Sequence, residues 1–396
     1  MKVLLVSESI NQFDSGGKVV RYITNILTHA NVQVKILVLR EKNEIKNDDF
    51  ISHHDIEFIP IKRNFQNRLF NIFFNTRATI SFKELLNNYH PDIVHFASFE
   101  NSKPSLFILE VKKFGAKLVL QPWTMHFFCA QGFGFRDNKT CTKCVNGNYI
   151  NALFYKCTGV KSIPSLIERH FLHKRALAAN TFLSSNRTFD KILNEYRVPL
   201  DNILNFPIPF DCSSQKIETN VNNSLNSIEN YYIYYGQVND HKGFKILEEV
   251  FMRLPSVKFK VLPMNYLSES TFSKHNVEII NNVNWTNGLR EYIINSKAVL
   301  IPSLWVTSTE YSLCEALLLK KPVILFNIGM HKDIFIHKQN AMVVEPNDVD
   351  SYVNAIIELE NDSDLCVKLS NNGYKTLTNH NSIEKLTSEL MKAYSN

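Results

Sequence analysis

Two carboxylates and a lysine in the C-terminal half are the residues of this chain best suited to chemistry. Glu315 lies in Ala298–Val344, where an apolar run ending in Pro302-Ser303 gives way to a polar loop and then to apolar residues at helical spacing from Leu313. This pattern predicts a strand, a loop and a helix with Glu315 in its first turn, where the helix dipole favours a carboxylate. Such a carboxylate can accept both hydroxyls of a ribose; an acid that merely complements a helix N-terminus would look the same. Glu310 precedes it in the loop. Lys242 belongs to Tyr232–Gly243, in which a strand ends at Gly236 and Lys242-Gly243 opens a helix. A glycine turn with a cation at a helix N-terminus suits a diphosphate, although an ordinary exposed lysine fits the pattern too.

The N-terminal half offers further candidates. The loop Asp14–Lys18 carries adjacent glycines, Gly16 and Gly17, which let backbone amides approach a ligand closely. Four of the seven cysteines, Cys129, Cys141, Cys144 and Cys157, fall at the spacing C-x11-C-x2-C-x12-C. The C-x2-C pair is a chelate that two more thiols could complete as a tetrahedral, structural zinc site; buried reduced thiols are the alternative. His126, just before Cys129 in an aromatic cluster, is either a hydrogen-bond partner for a sugar or a structural histidine. The segment Ile61–Arg77 interleaves Phe65, Leu69, Ile72 and Phe73 with Lys62, Arg63, Arg68 and Arg77, which suits an anionic membrane interface or a helix packed on a sheet.

The elements that must position these residues alternate. Apolar runs of strand length at Lys2–Ser7, Val34–Leu39, Ile56–Ile61, Ile93–Phe96 and Leu118–Gln121 are separated by helical patterns such as Gly17–His29. After a Pro-, Ser- and Asn-rich stretch at Asn205–Asn226 the alternation restarts, with strands at Tyr231–Tyr235, Lys258–Leu262, Val277–Ile280, Ala298–Pro302 and Pro322–Phe326. Helices are expected at Gly243–Arg253, Gly288–Asn295 and Leu313–Leu319, and the chain closes on an amphipathic helix, Ser382–Tyr394. Near-continuous apolar strands between helices indicate parallel sheets covered on both faces. The expected fold is therefore α/β, with two Rossmann-like, doubly wound domains that bind ligands at the cleft between them. Neither half has a complete Gly-x-Gly-x-x-Gly, so no nicotinamide or flavin cofactor is indicated.

The segment around Glu315 resembles the donor-binding signature of glycosyltransferase family 4, matching at Pro302-Ser303, Glu315-Ala316, Pro322-Val323 and Gly329. The resemblance implies a GT-B fold and a retaining transferase that takes a nucleoside-diphosphate sugar as donor and needs no metal for catalysis. Glu315 would bind the ribose, and Gly236, Gln237, Lys242, Ser303 and Gly329 would complete the donor site. The family's Gly-Arg…Lys-Gly pattern is met by Gly236, Lys242 and Gly243, with Gln237 in place of the arginine. Where the family has a first glutamate this chain has Thr307, so Glu310 or Thr307 takes that catalytic position, with His126 as a further catalytic candidate. Gly16 and Gly17 match the family's N-terminal loop, which faces donor and acceptor, and a cysteine-rich insertion near residues 123–160 resembles one found in a subgroup. Residues 1–205 would bind the acceptor and 206–380 the donor, while 381–396 would pack back on the first domain. The acceptor would be a glycan or a lipid-linked hydroxyl, in bacterial O-antigen or capsule synthesis.

Bulk properties bound these readings. Residues 1–200 carry 27 Lys and Arg against 16 Asp and Glu, whereas 201–396 carry 17 against 22, beneath a net charge of +6. A basic half suits an anionic surface. No zinc finger, helix-turn-helix pattern or Lys/Arg-rich run is present, so anionic lipid is favoured over nucleic acid. The opening run reads as a strand and not as a secretory signal, and no window approaches the ~20 apolar residues of a membrane span. A cytoplasmic protein, peripheral at the inner face of the membrane, is expected. The rival readings are a GT-B sugar-nucleotide epimerase and a degenerate nucleotide-sugar-binding protein.

Overall fold

The computed structural model describes the chain apart from residues 13, 43–47, 62–75, 100, 103, 145–146, 208, 213–229, 269–274 and 307–309 and the side chain of His126. The basic-aromatic reading of Ile61–Arg77 and the candidate Thr307 therefore fall outside the described residues. The chain divides into two compact units: Met1–Gly134, Cys141–Phe210 and Ile383–Asn396 form the first, Phe135–Thr140 and Asp211–Ser382 the second.

In the first unit, β1 (Lys2–Ser7), β2 (Gln33–Val38), β3 (Ile56–Phe58), β4 (Ile93–Phe96), β5 (Lys117–Leu120), β8 (Thr181–Ser184) and β9 (Ile203–Asn205) form one sheet in the order β3-β2-β1-β4-β5-β8-β9. Every pairing is parallel. The apolar run of β1 is explained by this topology, because Val3, Leu4, Leu5 and Val6 are wholly buried at the centre of a sheet covered on both faces. Helix α1 (Ser15–His29) follows β1 and buries Val19, Val20, Ile23, Ile26 and Leu27, the residues whose spacing predicts it. Asp14 caps it by accepting the Gly17 N–H at 2.6 Å. Strand order reverses between β1 and β4, so the loops after these two strands flank a ligand-binding position of doubly wound sheets.

The second unit contains the short antiparallel pair β6 (Phe135–Arg136) and β7 (Lys139–Thr140) and a second parallel sheet. Its strands are β10 (Tyr231–Gly236), β11 (Lys258–Pro263), β12 (Val277–Ile279), β13 (Ala298–Ile301), β14 (Val323–Phe326) and β15 (Met342–Val344), in the order β12-β11-β10-β13-β14-β15. Here the order reverses between β10 and β13. Helix α2 (Phe244–Arg253) covers the sheet with Phe244, Leu247, Val250 and Phe251, and the Phe251 and Phe259 rings lie 4.5 Å apart. Helix α3 (Tyr311–Leu318) follows β13; α4 (Val349–Asn361) and α5 (Ser363–His380) follow β15. Two sequence expectations change. Helix α3 begins at Tyr311 and not at Leu313, so Glu310 is its N-cap and Glu315 sits in its second turn. Lys242-Gly243 does not open a helix directly: Asp240–Lys242 form a 3-10 turn, and Gly243 takes a left-handed conformation before α2 begins.

Helix α6 (Ile383–Ser395) belongs to the first unit and buries Leu386, Leu390, Ala393 and Tyr394. The Tyr394 hydroxyl lies 2.8 Å from Nδ1 of His95 in β4, and Lys117 Nζ donates to the Ala393 and Tyr394 carbonyls at 2.9 and 3.0 Å. No helix among the described residues is long and apolar enough to cross a membrane. Burial, opposed in part by the Gln121 side chain, lowers the His95 pKa to about 3. The imidazole is thus neutral in the fold and readily protonated in the unfolded chain, so its contribution to stability is complete above pH ~6.5 and is lost as pH falls toward ~3. Tyr394→Ala should cost the first unit about 3 to 5 kcal/mol, the range for truncating a large buried aromatic. Denaturant unfolding followed between pH 7 and 4 checks both expectations; wild-type stability that does not fall over that window contradicts the histidine assignment.

Candidate functional site

The second unit gathers four of the expected donor-site residues where its strand order reverses. Gly236 ends β10, and the loop behind it reaches Lys242. Asn239 shapes this turn, its Oδ1 accepting the Lys242 N–H at 3.0 Å. Gly243 has φ of +72°, and a Cβ there would lie 1.8 Å from the Pro302 carbonyl oxygen. Only glycine allows the loop after β10 to lie against the loop after β13. The Leu304 N–H then donates to the His241 carbonyl at 3.0 Å, joining the two loops a second time.

This approach delivers Lys242 to Glu310. Lys242 Nζ is 2.7 Å from Glu310 Oε1, and the Ser303 hydroxyl donates to the same oxygen. Glu310 is 5% exposed and Ser303 1%. Burial alone would raise the Glu310 pKa, but the Lys242 charge, the nearby His331 and the two hydrogen bonds overcome it and hold the carboxyl below its ordinary value. The carboxylate also stands at the positive end of α3. Lys242 Nζ lies 5.1 Å from the centre of the Trp305 ring, which in turn lies 5.0 Å from the His241 ring.

Glu315 is buried one turn further along α3 and takes a different partner: Trp285 Nε1 donates to its Oε1 at 2.9 Å. Tyr235, the penultimate residue of β10, is near enough to both carboxylates to feel their charges. Its hydroxyl donates to the Ser312 carbonyl at 2.7 Å. Burial first, then the charges of Glu315, Cys314 and Glu310, push its phenol far above the usual range. Gly329 follows β14 with φ of +55° and leads to His331, whose buried ring places Nδ1 3.0 Å from the Phe326 carbonyl.

Several residues here escaped the sequence reading. Trp285, Tyr235 and His331 come near the glutamates from other segments, and Trp305 meets Lys242 and His241. Local signals existed for three of them: His331 lies two residues after Gly329, Trp305 two after Ser303, and Tyr235 directly before Gly236. The missing arginine charge at Gln237 is not restored by its neighbours. Gln237 is exposed and its Oε1 accepts from Asn239 Nδ2 at 3.2 Å, Lys245 is paired with Asp240 at 3.0 Å, and His241 is buried against Trp305.

In the first unit, Gly17 is required by its own loop, because a Cβ there would lie 2.1 Å from the Asn11 carbonyl oxygen. A Cβ on Gly16 would meet the Ser98 hydroxyl and the Trp123 ring, each at 3.6 Å, so Gly16 borders the loops after β4 and β5. His126 lies in a 3-10 turn, Met125–Phe127, and its side chain falls outside the described atoms. Cys129, Cys141, Cys144 and Cys157 are free thiols. Burial and then the charges of Cys129, Cys141 and Cys157 raise the Cys144 pKa to about 11, so the other three thiols lie near Cys144. Among the described residues, however, no three His, Cys, Asp or Glu side chains converge as metal ligands.

Residues 215–376 match the family model of glycosyl transferases group 1, a stretch that includes Gly236, Lys242, Ser303, Glu310, Glu315 and Gly329. No curated protein matches the chain. Among solved structures, it is similar to HepE of Anabaena in complex with UDP, at 11% identity over all of both chains and a TM-score of 0.68. It is also similar to a TarM variant of S. aureus in complex with fondaparinux, alpha-GlcNAc-glycerol and UDP, at 12% identity over all of both chains and a TM-score of 0.69. The lipopolysaccharide outer core galactosyltransferase WaaB shares 11% identity over 99% of each chain, with a TM-score of 0.61. At such identities the likeness is one of fold, and the fold is GT-B. With a glycosyl transferases group 1 match across most of its second unit and GT-B architecture throughout, the chain is a glycosyltransferase.

Proposed function

We propose that the chain moves a sugar from a nucleoside-diphosphate sugar to a hydroxyl of a glycan or lipid-linked acceptor, with retention at the anomeric carbon, during synthesis of a bacterial surface polysaccharide. The observation that carries this reading is the joint placement of Lys242 and Glu315, one after β10 and the other in the helix after β13, within the stretch matched by the transferase model. Lys242 is the cation for the diphosphate, and Glu315, oriented by Trp285, accepts the ribose hydroxyls. Similarity to proteins solved with UDP supports a nucleoside-diphosphate donor, and similarity to a lipopolysaccharide galactosyltransferase supports the surface-glycan setting.

The transfer step makes the departing diphosphate more negative. Lys242 and the N–H groups at the positive end of α3 are suited to stabilise that charge as it grows. Glu310 then acts as a positioning residue, fixing the lysine while its own charge is matched by Lys242 and Ser303. Thr307 and His126 remain candidates for contact with the transferred sugar, and Gly16, Gly17 and Gly329 for backbone approach to the ligands. The first unit would take the acceptor, in a cytoplasmic protein held at the inner membrane face. A structural zinc at Cys129, Cys141, Cys144 and Cys157 is proposed from their spacing and from the nearness of the other three thiols to Cys144; catalysis does not call on it.

Calorimetry with UDP and uridine, or with whichever nucleotide gives the strongest thermal shift, tests the donor site. Glu315→Ala should weaken both ligands about 10- to 100-fold, as expected for hydrogen bonds to a charged group. With Glu310→Gln as the background, so that no buried charge is left without its partner, Lys242→Ala should weaken the diphosphate by a similar factor and leave the nucleoside nearly unchanged; equal losses on the two ligands would remove the phosphate role. Elemental analysis of the purified, folded chain should find on the order of one zinc per molecule, and a zinc-free folded protein retires the metal.

A further inference from the structure

The cysteine-rich part of the first unit presents an apolar surface that the donor chemistry does not use. Ile150, Phe154 and Val160 are 73%, 77% and 74% exposed, and Ile163, three residues after Val160, is 37% exposed. They come from a short helix, Ile150–Phe154, from the 3-10 turn Val160–Ser162 and from the start of the next helix, Ile163–Ala176. Leu153, Lys156, Thr158, Gly159 and Val160 line a shallow groove in the same face. Scattered single apolar residues on a surface are unremarkable, but several of the largest drawn from one short stretch mark a contact surface.

Charge identifies what covers it. Between Asp137 and Glu168 the sequence contains no carboxylate, and Glu168 itself is buried. Lys143, Lys156 and Lys161 are exposed within this interval, and Lys143 Nζ lies 5.8 Å from the centre of the Tyr155 ring. Underneath, Tyr149, Ala152 and Leu166 form a small buried cluster with Cys144, Leu153 and Cys157 packed against it, so the ridge rests on a firm base. Exposed aliphatic and aromatic tips among lysines, free of acids, match an anionic lipid surface: the tips enter the acyl boundary while the ammonium groups meet phosphates. The excess of basic residues in the first half of the chain adds a longer-range attraction of the same sign.

We infer that Ile150, Phe154, Val160 and Ile163, with Lys143, Lys156 and Lys161, dock the protein peripherally on an anionic bilayer. This rests on the placement at the inner membrane face proposed above and names the surface that makes the contact; because that surface is separate from the donor-binding residues, it can fail while the transferase reading stands, and the reverse. The test is sedimentation of the full chain with vesicles of phosphatidylcholine alone or mixed with phosphatidylglycerol. Wild type should bind the anionic vesicles and release them as salt is raised. The double variant Ile150→Ser/Phe154→Ser should lose about tenfold or more of that binding, and Lys156→Gln/Lys161→Gln about fivefold per lysine together with much of the salt dependence. Because all four side chains are exposed, the variants should keep wild-type circular dichroism and nucleotide affinity. Phe154→Trp should show blue-shifted emission on anionic vesicles only. Equal sedimentation with neutral and anionic vesicles, unchanged binding by Ile150→Ser/Phe154→Ser, or a switch from dimer to monomer in that variant would each overturn the lipid assignment, the last in favour of contact between copies of the chain.

Discussion

A buried carboxylate that cannot do without its lysine organises the second unit. Glu310 is almost fully removed from solvent at the start of α3. Left alone, such a charge costs several kcal/mol, and removing one member of a buried pair typically costs about 3 to 5 kcal/mol. Lys242 and Ser303 meet it on one oxygen. The lysine can reach because Gly243 has no side chain to hold the Pro302 carbonyl away. Thus a missing Cβ, a loop-to-loop hydrogen bond and an ion pair form one device, set where the order of a parallel sheet reverses. Doubly wound sheets offer ligands that position, so the residues that hold the two loops together also stand where a ligand would arrive.

Much of this fold could be read from the chain, because buried parallel strands and their covering helices leave long apolar runs. Lys2–Ser7, Ile93–Phe96 and Lys258–Pro263 were anticipated to within a residue or so. Thr181–Ser184, Ile203–Asn205 and Met342–Val344 were not: Thr, Ser and Asn leave the first two only two consecutive apolar residues each, and the third is three residues long. The edge strand Ile56–Phe58 is shorter than its apolar run, which continues through Ile59 and Ile61; their N–H groups still donate to the Val38 and Leu39 carbonyls at 3.0 and 3.4 Å, beyond the regular ladder. Helix α3 begins two residues early because Glu310 supplies the N-cap, although its carboxylate turns to Lys242 and makes no cap hydrogen bond. That small shift moves Glu315 out of the first turn and transfers the helix-dipole argument from Glu315 to Glu310.

The site was legible as residue types and not as partnerships. Lys242, Ser303, Glu310 and Glu315 could each be picked out by neighbouring prolines, glycines and apolar runs. Nothing local joins Lys242 to Glu310, which are 68 positions apart, or Trp285 to Glu315, 30 apart. Sheet topology makes those contacts, and periodicity is silent about which strand lies beside which. The glycines divide similarly. The paired glycines after β1 suggested an opening for a ligand, yet Gly17 serves the close approach of its own loop to Asn11, and only Gly16 borders the neighbouring loops after β4 and β5.

Charge bookkeeping then constrains how the second unit can treat an anion. With Gln237 neutral and exposed, Lys245 engaged by Asp240 and His241 packed on Trp305, the cationic provision near the end of β10 falls to Lys242. That ammonium is already opposed by Glu310, so the pair is close to neutral before any ligand arrives. A diphosphate approaching it would gain little from bare Coulomb attraction and must rely on what is directional: a lysine held in one place, the amide groups at the start of α3, and tight loops that fix both. The design exchanges charge for pre-organisation. In the proposed donor site this would limit indiscriminate attraction of anions and place more of the recognition on the carboxylate one turn further on, to which Trp285 Nε1 donates.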